Sequence, residues 1–380
     1  MSPASSADAP ATPPPRPFAA TFAALGRVER ERIILPLQRL RLFDGLSKAL
    51  GIAVTGECIL PLFACLYWCL DQHKCNAGIW LVPLNEIFNG CIKWLVRRGR
   101  PYWEDDRVLA HSFSSEFSFP SSHAQLAAAL ATFFVRASAH PQATTTTPAL
   151  PAYAFALLVG WSRVHAGVHY PSDVAVGLGL GALSATAYDA LLPSLLAMRA
   201  PSALRNLAML SVRASEWRRA IPRNSPTRPA AAVRRRAPQV PALVCVAAIR
   251  RCYTLAMADD GSDPPEWKRN ACRGRYASRE LDPRRVPMGL YSGMVGVLAG
   301  LALGQAFYRH VPLALAASGR LAWLRALVGN AGLMAMFESI AALTPARPLW
   351  LYALMRFLKY VNVPVFILLI GPLLFRALQL

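Results

Sequence analysis

Long apolar segments separated by short polar clusters are the feature that most constrains how this chain can fold. Hydrophobic residues make up 54% of the 380 positions and charged residues only 16%, whereas soluble domains are about a quarter charged. A helix needs about 20 apolar residues to cross a bilayer, and it satisfies its own backbone hydrogen bonds there. The sequence therefore predicts an all-α fold, a polytopic transmembrane helical bundle with about seven to nine spans. The predicted spans cover residues 46–70, 77–96, 123–135, 149–164, 171–198, 288–308, 321–343 and 349–375.

Composition divides the chain into four parts. Residues 1–45 are rich in Ser, Ala and Pro and are predicted to be a disordered tail, with an organelle transit peptide as the alternative. Residues 46–198 hold the first five spans and form the predicted core. Residues 199–286 are rich in Arg and Pro and are predicted to be a basic loop or insertion, and residues 287–380 carry the additional spans.

Two of the predicted spans have unusual sequences. Gly177, Gly179 and Gly181 in the fifth span are predicted to allow close helix packing. Charged residues and a proline interrupt the last segment, 349–375, so we expect one span followed by an interfacial stretch.

The net charge is +20, from 41 Lys and Arg against 21 Asp and Glu. Because this charge lies between apolar segments, it is typical of membrane-protein loops and argues against a nucleic-acid partner. The eight cysteines form no CxxC pair, and no cluster of metal ligands is visible in the sequence. We therefore expect neither a metal site nor a cofactor.

Three polar clusters lie at the ends of predicted spans. They are KWLVRRGRP at residues 93–101, FPSSH at residues 119–123 and SRVHAGVHYPSD at residues 162–173. If the spans alternate across the membrane, all three clusters converge on one membrane face. Ionisable residues at membrane level are costly and usually functional, so this convergence predicts a site.

The predicted ligand of this site is an anion. Lys93, Arg100 and Arg163 have no matching group of carboxylates in these clusters, and Arg and Lys both suit phosphate. Ser121 and Ser122 can add hydroxyl and backbone donors at the start of a helix. The alternative is that the cations are juxtamembrane anchors for lipid headgroups. That alternative is preferred for the other arginines of this region, Arg97, Arg98 and Arg107.

Two histidines beside a bound phosphate imply covalent catalysis. His169 is the predicted nucleophile and would form a phosphohistidine. Asp173 is predicted to accept the proton of its other ring nitrogen, and His123 to act as general acid and then to activate water. Glu116 is expected to solvate its loop or to hold an arginine. The remaining histidines, His73, His111, His140, His165 and His310, show no partner pattern, although His165 could face the site.

Together the three clusters resemble the pattern KxxxxxxRP, PSGH and SRxxxxxHxxxD of the type 2 phosphatidic acid phosphatase superfamily. The first and third motifs match in identity and spacing, whereas Ser122 replaces the Gly of the second. The resemblance covers about residues 85–195 and implies an all-helical bundle with the site between its helices. It implies the same roles for His169, His123 and Asp173, and a catalytic core within residues 46–198.

The resemblance also narrows the substrate to a lipid phosphate. The stretch EFSFPSSHA at residues 116–124 resembles the second motif of sphingosine-phosphate and dolichyl-diphosphate phosphatases, and the C-terminal segment at residues 356–375 looks like the tail of sphingosine-phosphate phosphatases. We therefore expect a metal-independent phosphatase acting on a sphingoid base 1-phosphate, with dolichyl diphosphate and phosphatidate as alternatives. Vanadate-dependent haloperoxidases share the constellation but are soluble. A membrane transporter or scaffold with an anion site is the non-enzymatic alternative.

Sidedness follows from the charge of the loops. Alternating spans place Lys93, His123 and His169 on one face and the start of the basic segment 199–286 on the other. Positive loops stay cytoplasmic, although the arginines before the first span point the opposite way. We expect a multi-pass protein of the endoplasmic reticulum membrane with its site facing the lumen.

Overall fold

The computed structural model describes residues 18–70, 78–138, 147–197, 263–281, 292–301, 321–345 and 348–380, with residues 72, 75, 303 and 304 between them. All regular structure in these residues is helical, which confirms the all-α class. The α-helices are α1 Ala19–Glu29, α2 Leu35–Gln38, α3 Asp44–Ala53, α4 Gly56–Cys65, α5 Leu81–Val96, α6 Pro101–Glu104, α7 Ser122–Ser138, α8 Ala149–His165, α9 Pro171–Ala197, α10 Pro265–Ala271, α11 Ser292–Leu301, α12 Ala322–Ala342, α13 Leu349–Val365 and α14 Gly371–Ala377.

The N-terminal region differs from the predicted disordered tail. From Ala19 onward it forms α1, a π-helical turn at Arg30–Ile34 and then α2. Ile34 is fully buried in the core that surrounds the loops between α5 and α9. These contacts join residues far apart in sequence, so the local composition could not reveal them. Residues 1–17 lie outside the described residues.

Helices α5, α7, α8 and α9 form the bundle that carries the three polar clusters. Gly177 and Gly181 face α7. A side chain at Gly177 would come within 2.7 Å of the Ser121 carbonyl oxygen, and a side chain at Gly181 would overlap the Gln125 carbonyl oxygen. The predicted close packing is therefore confirmed for these two glycines, which are one helical turn apart. It is wrong for Gly179, which meets no neighbouring atom within 4 Å.

Buried amides join three helices of this bundle. Gln125 on α7 accepts a hydrogen bond from Asn89 at 2.7 Å and donates one to Asn85 at 3.0 Å, both on α5. Ser184 on α9 donates to the same Asn85 oxygen at 3.1 Å. Hydrogen bonds are strong in a low-dielectric interior, so these bonds hold α5, α7 and α9 in one register.

The C-terminal helices pack against the π-helical turn that follows α4. The indole of Trp68 donates to the Ile367 carbonyl at 2.9 Å and packs against Phe375 with ring centres 5.2 Å apart. The expected interruption of the last segment does not occur, because the helix continues from Leu349 to Ala377. Pro364 lies inside this helix, and a π-helical turn at Phe366–Ile370 follows it.

Among the described residues, one helix, Leu349–Ala377, is long and apolar enough to cross a membrane by length and composition. A second candidate is the pair Arg41–Ala53 and Cys58–Leu70, which bends by 59° at its break. Helices α5, α7 and α8 have 16, 17 and 17 residues, less than the roughly 20 that a span needs. The polytopic bundle therefore stays a prediction.

Part of the predicted basic insertion packs on the loop that connects α6 to α7. Asn270 donates to the Trp103 carbonyl at 2.9 Å, and Arg273 donates to the Val108 carbonyl at 3.0 Å. Trp267 packs against Trp103 with ring centres 5.6 Å apart. Residues 263–281 thus lie at the end of the bundle where the polar clusters meet, and the rest of the insertion is outside the described residues.

Candidate active site

His169 lies in the short loop between α8 and α9, with its side chain 1% exposed. Its Nε2 is 3.3 Å from Nη1 of Arg100, and its Nδ1 is 3.6 Å from Oδ2 of Asp173. A guanidinium only donates, so Nε2 must accept and the ring proton belongs on Nδ1, facing Asp173. This is the tautomer that leaves Nε2 free to attack. Burial and the charges of Arg100, Lys93 and Arg163 hold the pKa of His169 well below its usual value, which keeps the ring neutral.

Asp173 lies in the first turn of α9, fully buried, and its carboxylate has two strong partners. Oδ1 accepts a hydrogen bond from Arg98 at 2.6 Å, and Oδ2 accepts one from the Tyr170 N–H at 2.9 Å. Arg98 also pairs with Glu29 of α1 at 2.8 Å and stacks over the Tyr170 ring. The interpretation of Arg98 as a headgroup anchor was wrong, because Arg98 binds the carboxylate predicted to orient His169.

Arg100 and Arg163 are buried arginines whose partners are uncharged. Arg100 donates to the carbonyl oxygens of Glu116 at 2.6 Å and Val168 at 2.9 Å. Arg163, in the last turn of α8, contacts the Ser112 hydroxyl at 3.4 Å, and its Nε has no hydrogen-bond partner among the described residues. Neither has a carboxylate within ion-pair distance in that part of the chain. Their positive charges are therefore available to an anion.

Lys93 sits in the last turn of α5 with its ammonium group buried. Its Nζ pairs with Oε2 of Glu116 at 2.5 Å and lies 3.5 Å from the Ser122 hydroxyl. The positive charge of Lys93 lowers the pKa of Glu116, so this carboxyl is ionised. An anion that binds Lys93 must therefore compete with Glu116, for which the sequence had suggested a solvated side chain or an arginine partner.

His123 is the second residue of α7 and faces the same cations. It is close enough to interact electrostatically with Arg163, His169 and Lys93. Its Nδ1 lies 3.5 Å from the Ser122 hydroxyl. Ser121 differs from the expectation in one respect, since its backbone N–H is already donated to the Asp173 carbonyl at 3.1 Å. Ser122 is thus the serine placed between Lys93 and His123.

A small cavity opens beside Lys93, and its wall contains a residue that was not predicted from the sequence. Glu86 and Glu116 line it together with Lys93 and Trp94. Glu86 is a carboxylate inside an apolar segment, seven residues before Lys93 and therefore two turns away on the same helix face. An ionisable residue inside a predicted span was the signal that could have identified it. No sequence signal of this kind identified Glu29 as a partner of Arg98, because the two residues are 69 positions apart.

The segment that carries the three polar clusters also matches a known protein family. Residues 78–193 match the model of a family described as the PAP2 superfamily, and this segment contains all eight predicted site residues. The predicted sphingosine-phosphate or dolichyl-diphosphate branch within that superfamily stays a prediction.

Three curated relatives are phosphatases by name. Over 93 residues the chain is 42% identical to the decaprenylphosphoryl-5-phosphoribose phosphatase of Mycobacterium tuberculosis, with 24% of this chain and 46% of that protein covered. It is 29% identical over 125 residues to the probable lipid phosphate phosphatase beta of Arabidopsis thaliana, with 26% of this chain and 56% of that protein covered. It is 36% identical over 103 residues to phosphatidylglycerophosphatase B of Bacillus subtilis, with 26% of this chain and 48% of that protein covered. The chain thus spans about half the length of the curated relatives it matches.

A solved structure is also similar, that of a transmembrane PAP2 type phosphatidylglycerolphosphate phosphatase from Bacillus subtilis. It aligns with 45% of this chain and 85% of its own, at 22% sequence identity and a TM-score of 0.36.

Proposed function

We propose that this protein is a lipid phosphate phosphatase that transfers a phosphoryl group first to His169 and then to water. The observation that carries the proposal is a buried histidine beside two buried arginines, Arg100 and Arg163, whose described partners are all uncharged. A phosphate dianion is the ligand that such unbalanced positive charge favours. The PAP2 superfamily match and the phosphatase names of the relatives support the same activity.

In the first step, the lone pair on Nε2 of His169 attacks phosphorus while the bond from phosphorus to the lipid oxygen breaks. His123 must carry a proton when the substrate is bound, and it gives this proton to the departing alkoxide. Lys93, Arg100 and Arg163 neutralise the charge on the remaining phosphate oxygens, which is where most catalysis of phosphoryl transfer resides. Arg100 must move its Nη1 from Nε2 of His169 to a phosphate oxygen as the substrate binds.

In the second step, water attacks the phosphohistidine, and the neutral His123 takes a proton from it. The bond from nitrogen to phosphorus breaks, inorganic phosphate leaves and both histidines return to their starting states. Asp173 stabilises the positive ring of the intermediate through the proton on Nδ1. Because protein cations supply the charge stabilisation, we expect turnover without added divalent metal.

The cavity beside Lys93 favours a sphingoid base 1-phosphate as the substrate. Such a lipid carries an ammonium group on the carbon next to the one that bears the phosphate ester. Glu86 and Glu116 line the cavity next to Lys93, so a phosphate at Lys93 would place that ammonium near two carboxylates. Phosphatidate has no cation there, so its phosphate would compete with Glu116 for Lys93 without an ammonium group to compensate the displaced carboxylate.

A polyprenyl-linked phosphate is the second candidate substrate. The relative with 42% identity acts, by its name, on a decaprenylphosphoryl sugar phosphate. This candidate also covers the dolichyl diphosphate alternative. Transport of an anion is less well supported, because transport does not require a histidine nucleophile with an aspartate four residues later.

We place the protein in a membrane, with several spans. Large apolar side chains are exposed along the outer faces of α8, α9 and α12, including Leu157, Leu183 and Leu327. Large apolar side chains exposed on several helices fit a lipid environment better than water. The endoplasmic reticulum, with the site on the luminal side, remains our proposal for its location.

The test is release of inorganic phosphate by the purified protein in detergent micelles, without divalent metal in the buffer. The panel contains a sphingoid base 1-phosphate, its N-acetylated form, phosphatidate and a polyprenyl phosphate. We expect the free amine to be preferred over its acetylated form, and Glu86→Gln to reduce that preference. No phosphate release from any lipid would contradict the phosphatase, whereas equal rates for the amine and its acetylated form would contradict only the sphingoid substrate.

A further inference from the structure

Three side chains with metal-binding atoms meet outside the phosphate site. Asp44 is the first residue of α3, His111 lies in the loop after α6, and His165 is the last residue of α8. Oδ1 of Asp44 is 3.7 Å from Nε2 of His111 and 3.8 Å from Nε2 of His165. One potential ligand atom from each residue lies within 4.8 Å of the other two. Two imidazoles therefore face one carboxylate oxygen.

His165 is the member of this group that most needs a partner. Its side chain is 0% exposed, and neither ring nitrogen makes a hydrogen bond to any described residue. Nδ1 of His111 is likewise without a hydrogen-bond partner there. Buried polar atoms are hydrogen-bonded in the large majority of cases, so an imidazole with both nitrogens unsatisfied and one of them aimed at Asp44 points to a ligand.

The backbone around the two histidines is held in place by Gln38. Its Nε2 donates to the carbonyl oxygens of Leu109 at 2.7 Å and His165 at 2.9 Å, and its Oε1 accepts from the Leu109 N–H at 3.0 Å. The His111 N–H donates to the Ala166 carbonyl at 3.0 Å. The two loops are thus fastened to each other, and both rings face Asp44.

The electrostatic surroundings contain opposing contributions. Lys48 and Arg275 lie close enough to His111 to interact with it, and they oppose a bound cation. Asp44 and the carbonyl end of α8, where His165 lies, favour a bound cation. Imidazole and carboxylate together suit divalent zinc, and two histidines with one carboxylate are a common ligand set for it.

We propose that Asp44, His111 and His165 form a zinc site that fastens α3 and the loop after α6 to the end of α8. Tetrahedral zinc with bonds of about 2.0–2.1 Å needs ligand atoms about 3.3 Å apart, so the Asp44 oxygen and each imidazole must approach by a few tenths of an ångström. Ser112, the neighbour of His111, contacts Arg163, so the zinc would also fix the loop beside that arginine. This site is separate from the phosphoryl-transfer chemistry, and no step of that chemistry uses it.

The test measures metal binding directly and does not depend on activity. The full-length protein is purified without an oligohistidine tag, stripped with a chelator, reloaded with zinc and dialysed, and its metal content is measured. We expect about one zinc per chain and a rise in melting temperature on reloading. Cobalt in place of zinc should give visible d–d absorption with molar intensity typical of a four-coordinate site.

Two variants and two matched controls complete the experiment. Asp44→Asn and His111→Ala should lose the bound metal, the cobalt spectrum and the rise in melting temperature. Asp106→Asn, an exposed acid on the same loop, and His310→Ala, an imidazole elsewhere in the chain, should retain all three. Absence of bound zinc from the wild-type protein, or retention of zinc by both Asp44→Asn and His111→Ala, would overturn the proposal. Asp44→Asn changes no side-chain volume, so it remains informative if His111→Ala fails to fold.

Discussion

Arg98 and Arg107 are a natural matched pair for testing the ion-pair network behind the site. Each pairs with two carboxylates, Arg98 with Glu29 and Asp173 and Arg107 with Glu31 and Asp105. Their surroundings differ, because the Arg98 side chain is 1% exposed and that of Arg107 is 57% exposed. Replacing each arginine by methionine therefore removes the same charge from a buried network and from a solvated one.

The expected magnitudes follow from this difference in burial. Arg98→Met leaves the carboxylates of Glu29 and Asp173 buried without a counter-charge, and breaking a buried pair in this way costs about 3–5 kcal/mol. At about 2–4 °C per kcal/mol for a folded unit of 150–250 residues, the melting temperature should fall by about 6–20 °C. Arg107→Met should leave the melting temperature unchanged within error, because solvent screens its ion pairs.

The assay is thermal unfolding of the purified variants in detergent, followed by intrinsic fluorescence. The double variant Glu29→Gln with Arg98→Met should recover part of the lost stability, since it removes one of the two uncompensated carboxylates. Equal changes in melting temperature for Arg98→Met and Arg107→Met would refute the reasoning. So would a double variant that is less stable than Arg98→Met alone.

Four further predictions concern the chemistry and its location. His169→Ala should abolish phosphate release while the protein still inserts in membranes, and vanadate should inhibit the wild type; normal turnover in an inserted variant would contradict the nucleophile. His123→Ala should impair alkyl phosphates more than an aryl phosphate, whose phenol leaves without protonation, and equal losses would argue against the general acid. Burial and Arg100 lower the pKa of His169, so the acid limb of the kcat/KM profile should lie below pH 6.5. In Arg100→Gln this acid limb should move to higher pH, because one of the charges that lower the pKa is removed. An acid limb that does not move would show that another group titrates. A glycosylation acceptor near Arg107 should be modified and one near Arg235 should not, and the reverse pattern would invert the proposed orientation.

The helices of the core could be predicted from sequence because their signals are local. The predicted spans at 123–135, 149–164 and 171–198 correspond to helices Ser122–Ser138, Ala149–His165 and Pro171–Ala197. Uninterrupted apolar runs and prolines at helix starts mark these boundaries without reference to the rest of the fold. The same locality explains why the three motifs could be placed together at one end of the bundle.

The parts that sequence could not predict depend on contacts between distant segments. The helices before residue 45 form no apolar run long enough to span a membrane, and what stabilises them is packing of residues such as Ile34 against the site end of the bundle. The Asp44, His111 and His165 cluster is equally invisible, because a search for ligand spacing along the chain cannot detect residues that are 67 and 54 positions apart. Local patterns therefore predict the helices and the motifs, whereas the long-range contacts that stabilise them depend on the tertiary fold.

Arg98 and Arg100 are two residues apart, and the charge of their partners decides what each can do. Arg98 is bound by Glu29 and Asp173, whose combined negative charge exceeds its own, so it has no positive charge left for a substrate. Arg100 donates to the neutral carbonyl oxygens of Glu116 and Val168, which leave its charge uncompensated. The KxxxxxxRP spacing selects Arg100 for the phosphate, but it does not reveal what Arg98 binds. Glu29 on α1 makes the difference, because it binds Arg98 together with Asp173. Arg100 is therefore the arginine of this pair whose charge can bind the phosphate.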